Sequence, residues 1–278
     1  MSSDLKAWVG RSQTQSDTVM PNALVRYKAA LNMEAADTIV PDGYHWCLCL
    51  PDTPTDALGA DGHPPLGGFM PSLPFPRRMW AGSKVEFLKP LAPHMQIERR
   101  STIMDIEPKS GQSGELVFVT VAHETLCESD VHIRETQTIV YRDAPQEAAP
   151  LPEVTADVDI GAWDWHTQLT PQPPLLFRYS ALTFNTHRIH YDLDYAQNTE
   201  LYPALVVHGP VTASLLLKLC ADHLGHHALS EFRFTAKSPL YAGQPVYLVG
   251  RETHADIELC ALGGDGRLAM QAHAKRAL

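Results

Sequence analysis

A chain of 278 residues with 44% hydrophobic content can bury one large core or two of ordinary size, which excludes a disordered protein. Its formal charge of -10 and pI near 5.7 exclude a general nucleic-acid binder, and any anionic ligand needs a local basic patch. Five cysteines (Cys47, Cys49, Cys127, Cys220, Cys260), odd in number and without a CxxC pair, fit the free thiols of a reducing cytoplasm; with no basic leader and no run of ~18 apolar residues, a cytoplasmic protein without a membrane span is expected.

From the N-terminus, PNALVRYKAALN (residues 21–32) places Leu24, Tyr27, Lys28 and Leu31 at helical spacing and predicts a short helix. The stretch GGFMPSLPFPRRMWAGS (67–83), rich in glycine, proline and aromatic residues, reads as a long surface loop. From Val85 the chain runs as a strand, a Pro90-Leu91 turn, a strand, a polar glycine-containing turn and a last alternating strand. Residues 143–174 are rich in proline, alanine and acidic side chains, the composition of a connector that buries little apolar surface. The expected division is a lobe over 1–145, a linker over 146–174 and a second lobe over 175–278. Within the second lobe, Gly209 and Pro210 stand at a helix start, Val211, Leu215, Leu216 and Leu219 recur at helical spacing, and Gly225 stops the run. From Phe232 the earlier order returns, now around Pro239-Leu240. An internal duplication is the reading, with the 21–32 helix as a shorter equivalent of the 209–225 helix and an α+β architecture of two lobes, each an antiparallel sheet wrapped around a central helix.

The densest group of functional side chains is FRYSALTFNTHRIHYDLDYA (177–196), which holds Asn185, His187, Arg188, His190, Tyr191 and Asp192 within eight positions; LYPALVVHGPVTASL follows, with His208 and Gly209 at the helix start. Polar groups among apolar neighbours are costly to bury unless partnered, so such density marks a site. Read from the residues alone, His190 also suits a core-edge imidazole tied to a carbonyl, and Gly209-Pro210 is good helix-start chemistry in any case. Arg188 pairs more readily with Asp192 or Asp194 than with a ligand. No metal site is expected: the His187–His190 spacing is short, no cysteine is near, and His223, His226 and His227 fall at the far end of the helix from His208. Ser214 lacks a G-x-S-x-G elbow and reads as a helix-face residue.

FRYSALTFNTHRIHYD followed by YPALVVHGP resembles the segment shared by mitochondrial-type 3-hydroxyacyl-thioester dehydratases and mesaconyl-C4-CoA hydratases, a branch of the MaoC-like hydratases; WAGSKVEFLKPL extends the likeness thinly into the first half. The resemblance implies a double-hotdog fold and a hydro-lyase that adds water to an enoyl thioester, with no cofactor beyond the coenzyme A of its substrate. Where the better-known MaoC pattern has Asp, Asn and His, this chain has Asn185, His187 and His190. The roles that follow are His190 as general base, Asn185 holding the water through its amide, and Gly209 with the helix-start N–H groups as oxyanion hole. His187, His208, Arg188 and Tyr191 are expected around the substrate, and the 67–83 loop is expected as a flap with Trp80 and Phe69 as apolar walls.

The implied substrate is a short branched dicarboxylic acyl-CoA, mesaconyl-C4-CoA or itaconyl-CoA, hydrated to citramalyl-CoA. A long-chain 3-hydroxyacyl-thioester dehydratase is the alternative and a non-catalytic acyl-CoA-binding hotdog protein the second; a basic pocket residue favours the dicarboxylate and an apolar tunnel the long chain. Neither nucleic acid nor membrane is an expected partner, and two lobes in one chain leave room for a further homodimer.

Overall fold

The computed structural model describes residues 5–111, 114–155, 157–254 and 256–277. In the first half β1 (Ser12–Thr18) is followed by α1 (Pro21–Ala30), a 3-10 turn at Tyr44–Cys47, and then β2 (Arg77–Phe87), β3 (Gln96–Gly111), β4 (Gly114–Cys127) and β5 (Asp130–Arg142). The second half runs β6 (Trp165–Leu169), α2 (Pro173–Thr183), α3 (Leu193–Asn198), α4 (Gly209–Leu224), β7 (Leu229–Ala236), β8 (Val246–Glu252), β9 (Ile257–Gly263) and β10 (Leu268–Arg276). These ten strands form a single antiparallel sheet in the order β1-β3-β4-β5-β2-β7-β10-β9-β8-β6. Read outward from its centre, the order is the same in both directions, so the halves are related by a pseudo-two-fold axis between β2 and β7. Among the described residues no helix is long and apolar enough to cross a membrane.

The duplication therefore extends over five strands per half, but its register differs from the expectation. VTVAHET lies on β4 and MQAHAKR on β10, whose counterpart is β5. β3 and β4, at 16 and 14 residues, are about twice as long as their counterparts β8 and β9 at 7 each, so equal stretches of sequence span three strands in one half and four in the other. The first helix is also paired differently. PNALVRYKAA in α1 matches PPLLFRYSAL in α2, each directly after the first strand of its half; Leu24 and Tyr27, Leu176 and Tyr179 are fully buried, and both helices exit through a left-handed residue, Asn32 (φ 51°) and Phe184 (φ 47°). Position α4 is matched in the first half only by the Tyr44–Cys47 turn, because Pro51 and Pro54 follow closely and a helix interior excludes proline.

α4 is the centre of the main core. Val211, Leu215, Leu216 and Leu219 are buried, each such side chain contributing about 1.5–3 kcal/mol relative to exposure, and Gly225 at φ 90° ends the helix where the pattern predicted. The segment read as a connector contains β6, five residues that pair with β8 as an edge strand. Too short to show a clear period of two, β6 is set by its partner rather than by its own pattern.

The two halves meet where β2 pairs β7 from Gly82↔Thr235 to Glu86↔Glu231. A side chain at Gly82 would sit 2.5 Å from the Phe234 carbonyl oxygen, so only glycine allows this approach. Against β5 the register of β2 shifts between Trp80 and Gly82, with Ala81 as the extra residue. The bulge offsets the alternation, so Trp80 and Arg78 share the face of Ser83 and Val85, the face that the helices cover. Residues 77–81 also lie beyond the β2–β7 pairing, which opens a mouth between the halves.

Candidate active site

The site is built on the connection from α2 to α4. After Phe184 turns the chain, Asn185 Oδ1 accepts a hydrogen bond from the His187 N–H (3.0 Å), a local turn that leaves the amide NH2 of Asn185 as its free donor group. Arg188–His190 forms a 3-10 turn that carries His190 beneath α4. There His190 Nδ1 lies 2.7 Å from the Val206 carbonyl oxygen, so Nδ1 carries the proton and Nε2 keeps its lone pair. The His190 ring stacks on His208 with centroids 3.6 Å apart, and His208 Nε2 lies 2.9 Å from Ser180 Oγ. His208 is the N-cap of α4. In the first helical turn the N–H groups of Val211 and Thr212 both donate to the His208 carbonyl (3.1 and 3.3 Å), and Pro210 has none, so Gly209 supplies the free N–H.

Burial sets the charge state of this row. It pushes His190 well below the usual imidazole range, helped by His208 and His187, and it lowers His208 to about 3. Both rings are neutral at pH 7. His187 stands edge-on to His190 (5.5 Å) and its Nε2 lies 3.3 Å from Glu200 Oε1. Glu200 is in turn held by Arg77, Nε to Oε2 2.8 Å, with a second bond from the same guanidinium to the Glu200 carbonyl oxygen. Burial would raise the Glu200 carboxyl, but His187 and Arg77 outweigh it and hold it below the usual range.

The cavity beside this row has a volume of about 340 Å³ and is walled by Trp46, Pro51, His63, Pro64, Arg78 and Trp80 from the first half and by Tyr179, Thr183, Phe184, Asn185, Thr186 and Pro210 from the second. It sits between the halves, at the mouth that the bulged start of β2 leaves open. His63 reaches it from the 59–64 loop, which is clamped to the 184–188 segment: the Arg188 N–H donates to the Asp61 carbonyl (2.9 Å), Thr186 Oγ1 donates to the Gly62 carbonyl, and Gly62 (φ 87°) passes so close to Thr186 that a Cβ would overlap it. His63 Nδ1 bonds Asp61 Oδ2 (2.8 Å), and its ring lies 4.1 Å from that of His187. Burial lowers His63 to about 4 despite Asp61.

Asp61, His63 and His187 each bring one ligand atom within 4.8 Å of the others, a donor set that could hold a cation. Two of these groups are already committed, Asp61 to His63 and His187 to Glu200, which suits a hydrogen-bonded imidazole row better than an open metal site.

Asn185, Trp80 and the start of α4 meet at the cavity, while His187, His190 and His208 stand in sequence behind its wall. Three expected members are elsewhere. Arg188 is engaged by Asp192 (2.8 and 3.0 Å) and stacks over Tyr195, so its charge is spent within the loop. The Tyr191 hydroxyl donates to the Thr186 carbonyl on the exterior. Phe69 packs with the cluster of Leu73, Phe75 and Val119 beneath the outer part of the first half. Trp46, Asp61 and His63 do not stand out in the sequence; Arg77-Arg78 does, within the 67–83 stretch, but only as part of the expected flap, and its alternation with Trp80 in PRRMW was the available signal.

Residues 43–242 match the hydroxyacyl-thioester dehydratase type 2 family. The chain is 41% identical over 281 residues to a mesaconyl-C(4)-CoA hydratase from Chloroflexus aurantiacus, covering 98% of this chain and 97% of the relative. In structure it is similar to a MaoC-like dehydratase from Phytophthora capsici (TM-score 0.73, 14% identity, 96% of each chain) and to a Mycobacterium tuberculosis protein described as a double hotdog (TM-score 0.58, 10% identity, 96% of each chain). The fold is thus the α+β hotdog arrangement, present twice.

Proposed function

Because the chain belongs to the hydroxyacyl-thioester dehydratase type 2 family of MaoC-like hotdog proteins and is a hydro-lyase of acyl-CoA thioesters, we propose that its substrate is a short branched dicarboxylic enoyl-CoA, mesaconyl-C4-CoA or itaconyl-CoA, hydrated to citramalyl-CoA. The observation that carries this reading is the end-to-end similarity to a mesaconyl-C(4)-CoA hydratase. A cavity of about 340 Å³ suits a five-carbon acyl group better than the long apolar tunnel a fatty-acyl dehydratase needs.

In this reading the acyl group enters beside Trp80 with its thioester oxygen toward the Gly209 N–H. Water attacks the carbon beta to the thioester, the double-bond electrons move onto the thioester oxygen, and the alpha carbon takes a proton. His190, neutral and with Nε2 unprotonated, is the base that takes the proton of the water and returns it to the alpha carbon; Asn185 orients the water through its NH2. The Gly209 N–H and the positive end of α4 face the developing enolate, and losing such a donor costs about 3 kcal/mol of transition-state stabilisation. With itaconyl-CoA the same base and enolate hole would first shift the double bond into conjugation.

The test follows the enoyl-thioester absorbance with mesaconyl-C4-CoA, itaconyl-CoA and crotonyl-CoA, in the native protein and His190→Ala. Turnover of a C5 dicarboxyl thioester that vanishes in the variant is expected. Turnover of crotonyl-CoA alone would move the assignment to fatty-acyl dehydration, and none with any thioester would leave a binding protein.

A further inference from the structure

We infer that Arg78 is the anchor for a carboxylate on the acyl group, the residue that lets this cavity distinguish a dicarboxylic from a monocarboxylic thioester. The inference deepens the proposed function and rests on its assignment of the acyl end to this cavity.

Three arginines stand in or beside the site, and their partners separate them. Arg77 is buried, ion-paired to Glu200 and stacked over Tyr202 (4.6 Å). Arg188 is bound to Asp192 and to the Ala60 carbonyl (3.1 Å). Arg78 lines the cavity and, among the described residues, takes part in no ion pair; its partners are neutral, the Pro64 carbonyl at the end of one long bond from NH2 (3.3 Å) and the hydroxyl of Tyr141, which faces it across the strand pair. A guanidinium has five N–H donors in a planar fork, so most of its capacity is open toward the cavity.

The neighbours do not supply the missing anion. Within the cavity wall none of the other polar side chains is an anion: His63, Tyr179, Thr183, Asn185 and Thr186. The carboxylate of the neighbouring 59–64 loop, Asp61, is bonded to His63 Nδ1 and to the His63 N–H (2.9 Å), and the presence of Arg78 is one of the causes that hold His63 low. A cation half-shielded from water, beside a neutral imidazole and without a counter-charge, is a binding site for an anion that arrives with a ligand, and the matching geometry is a carboxylate gripped by two parallel N–H groups.

Its place in the fold says which part of the ligand. The bulge at Ala81 puts Arg78 two residues from Trp80 on the same face, so both point into the space that Asn185 and Pro210 close from the other half. That is the acyl end, where the reacting carbons lie, and a carboxylate on or next to the beta carbon would fall between Arg78 and the water held by Asn185. A coenzyme A phosphate lies at the opposite end of a long pantetheine arm.

The experiment measures binding, so it does not depend on turnover. Succinyl-CoA carries a carboxylate on its beta carbon and butyryl-CoA a methyl group; their dissociation constants are measured by calorimetry for the native protein, Arg78→Met and Arg78→Lys, with circular dichroism to confirm folding. The native protein is expected to prefer succinyl-CoA, and Arg78→Met to lower that preference about 30-fold or more, the scale for removing one partner of a desolvated charge pair. Arg78→Lys, a charge without the fork, should retain part of it. A native protein that does not prefer succinyl-CoA, or a preference that survives in Arg78→Met, overturns the inference. So does an equal loss of both ligands, which would place the guanidinium on a coenzyme A phosphate. If the preference behaves as expected but no C5 dicarboxyl thioester is hydrated, the reaction assigned above fails while the anchor stands.

Discussion

Lowering the pH from about 7 to about 5 should unfold this protein through its buried imidazoles rather than its carboxylates. His63, His123 and His208 lie at about 4, about 4 and about 3, against an ordinary value of 6.5, and burial is the first cause in each. A histidine lowered in the fold binds fewer protons than in the unfolded chain, so its contribution is complete above pH 6.5 and is lost as the pH falls toward its folded value. At pH 5 the unfolded imidazole is charged and the folded one is not, which costs about 2 kcal/mol per ring and about 6 kcal/mol for the three. His190, also lowered by burial, adds to this in the same window. The sum is comparable to the whole stability of an ordinary domain, about 5–15 kcal/mol. Carboxylates act later: against its burial, hydrogen bonds with His45 and Ser83 hold Glu135 at about 2, so its contribution is lost only below pH 4.5. The assay is urea unfolding followed by tryptophan fluorescence at pH 7, 6 and 5. His123→Gln, whose Nδ1 meets Ser101 Oγ (2.8 Å) away from the cavity, should reduce the acid loss by about 2 kcal/mol. A fall of less than about 2 kcal/mol between pH 7 and 5 in the native protein would refute the reasoning, since it would mean that these rings take up protons in the folded state.

Two further outcomes follow from single contacts. Gly209→Ala should fold normally, because its new Cβ would lie 3.9 Å from the Trp80 carbonyl oxygen, an ordinary contact, yet lose activity as the methyl group fills the approach to the free N–H; a melting temperature and a kcat/KM that both stay at native values would remove Gly209 from the site. Glu200→Gln leaves Arg77 buried without its counter-charge and should cost about 3–5 kcal/mol of stability in denaturant unfolding, whereas a loss under about 1 kcal/mol would show that water reaches the guanidinium.

Much of the second half was legible in the sequence. The α4 boundaries follow from local chemistry alone, since Gly209-Pro210 opens the helix, leucines at 3.6-residue spacing bury its face and Gly225 closes it. The site motif is likewise local: Asn185, His187 and His190 lie within six positions, so one turn of chain brings them together. The duplication could be seen, but not its register, because strand length is set by pairing across the sheet and not by the pattern of one strand. The first-half contribution depended on tertiary structure throughout. His63 and Asp61 are more than 120 positions from His187 and meet it because Gly62 lets two loops cross; Arg78 enters the cavity because a bulge in β2 re-aims it. Which arginine is free to bind a ligand is also invisible in a sequence where Arg77 and Arg78 are adjacent. A charge is available or spent according to what folds against it, and Glu200 takes Arg77, Asp192 takes Arg188, and no described carboxylate takes Arg78.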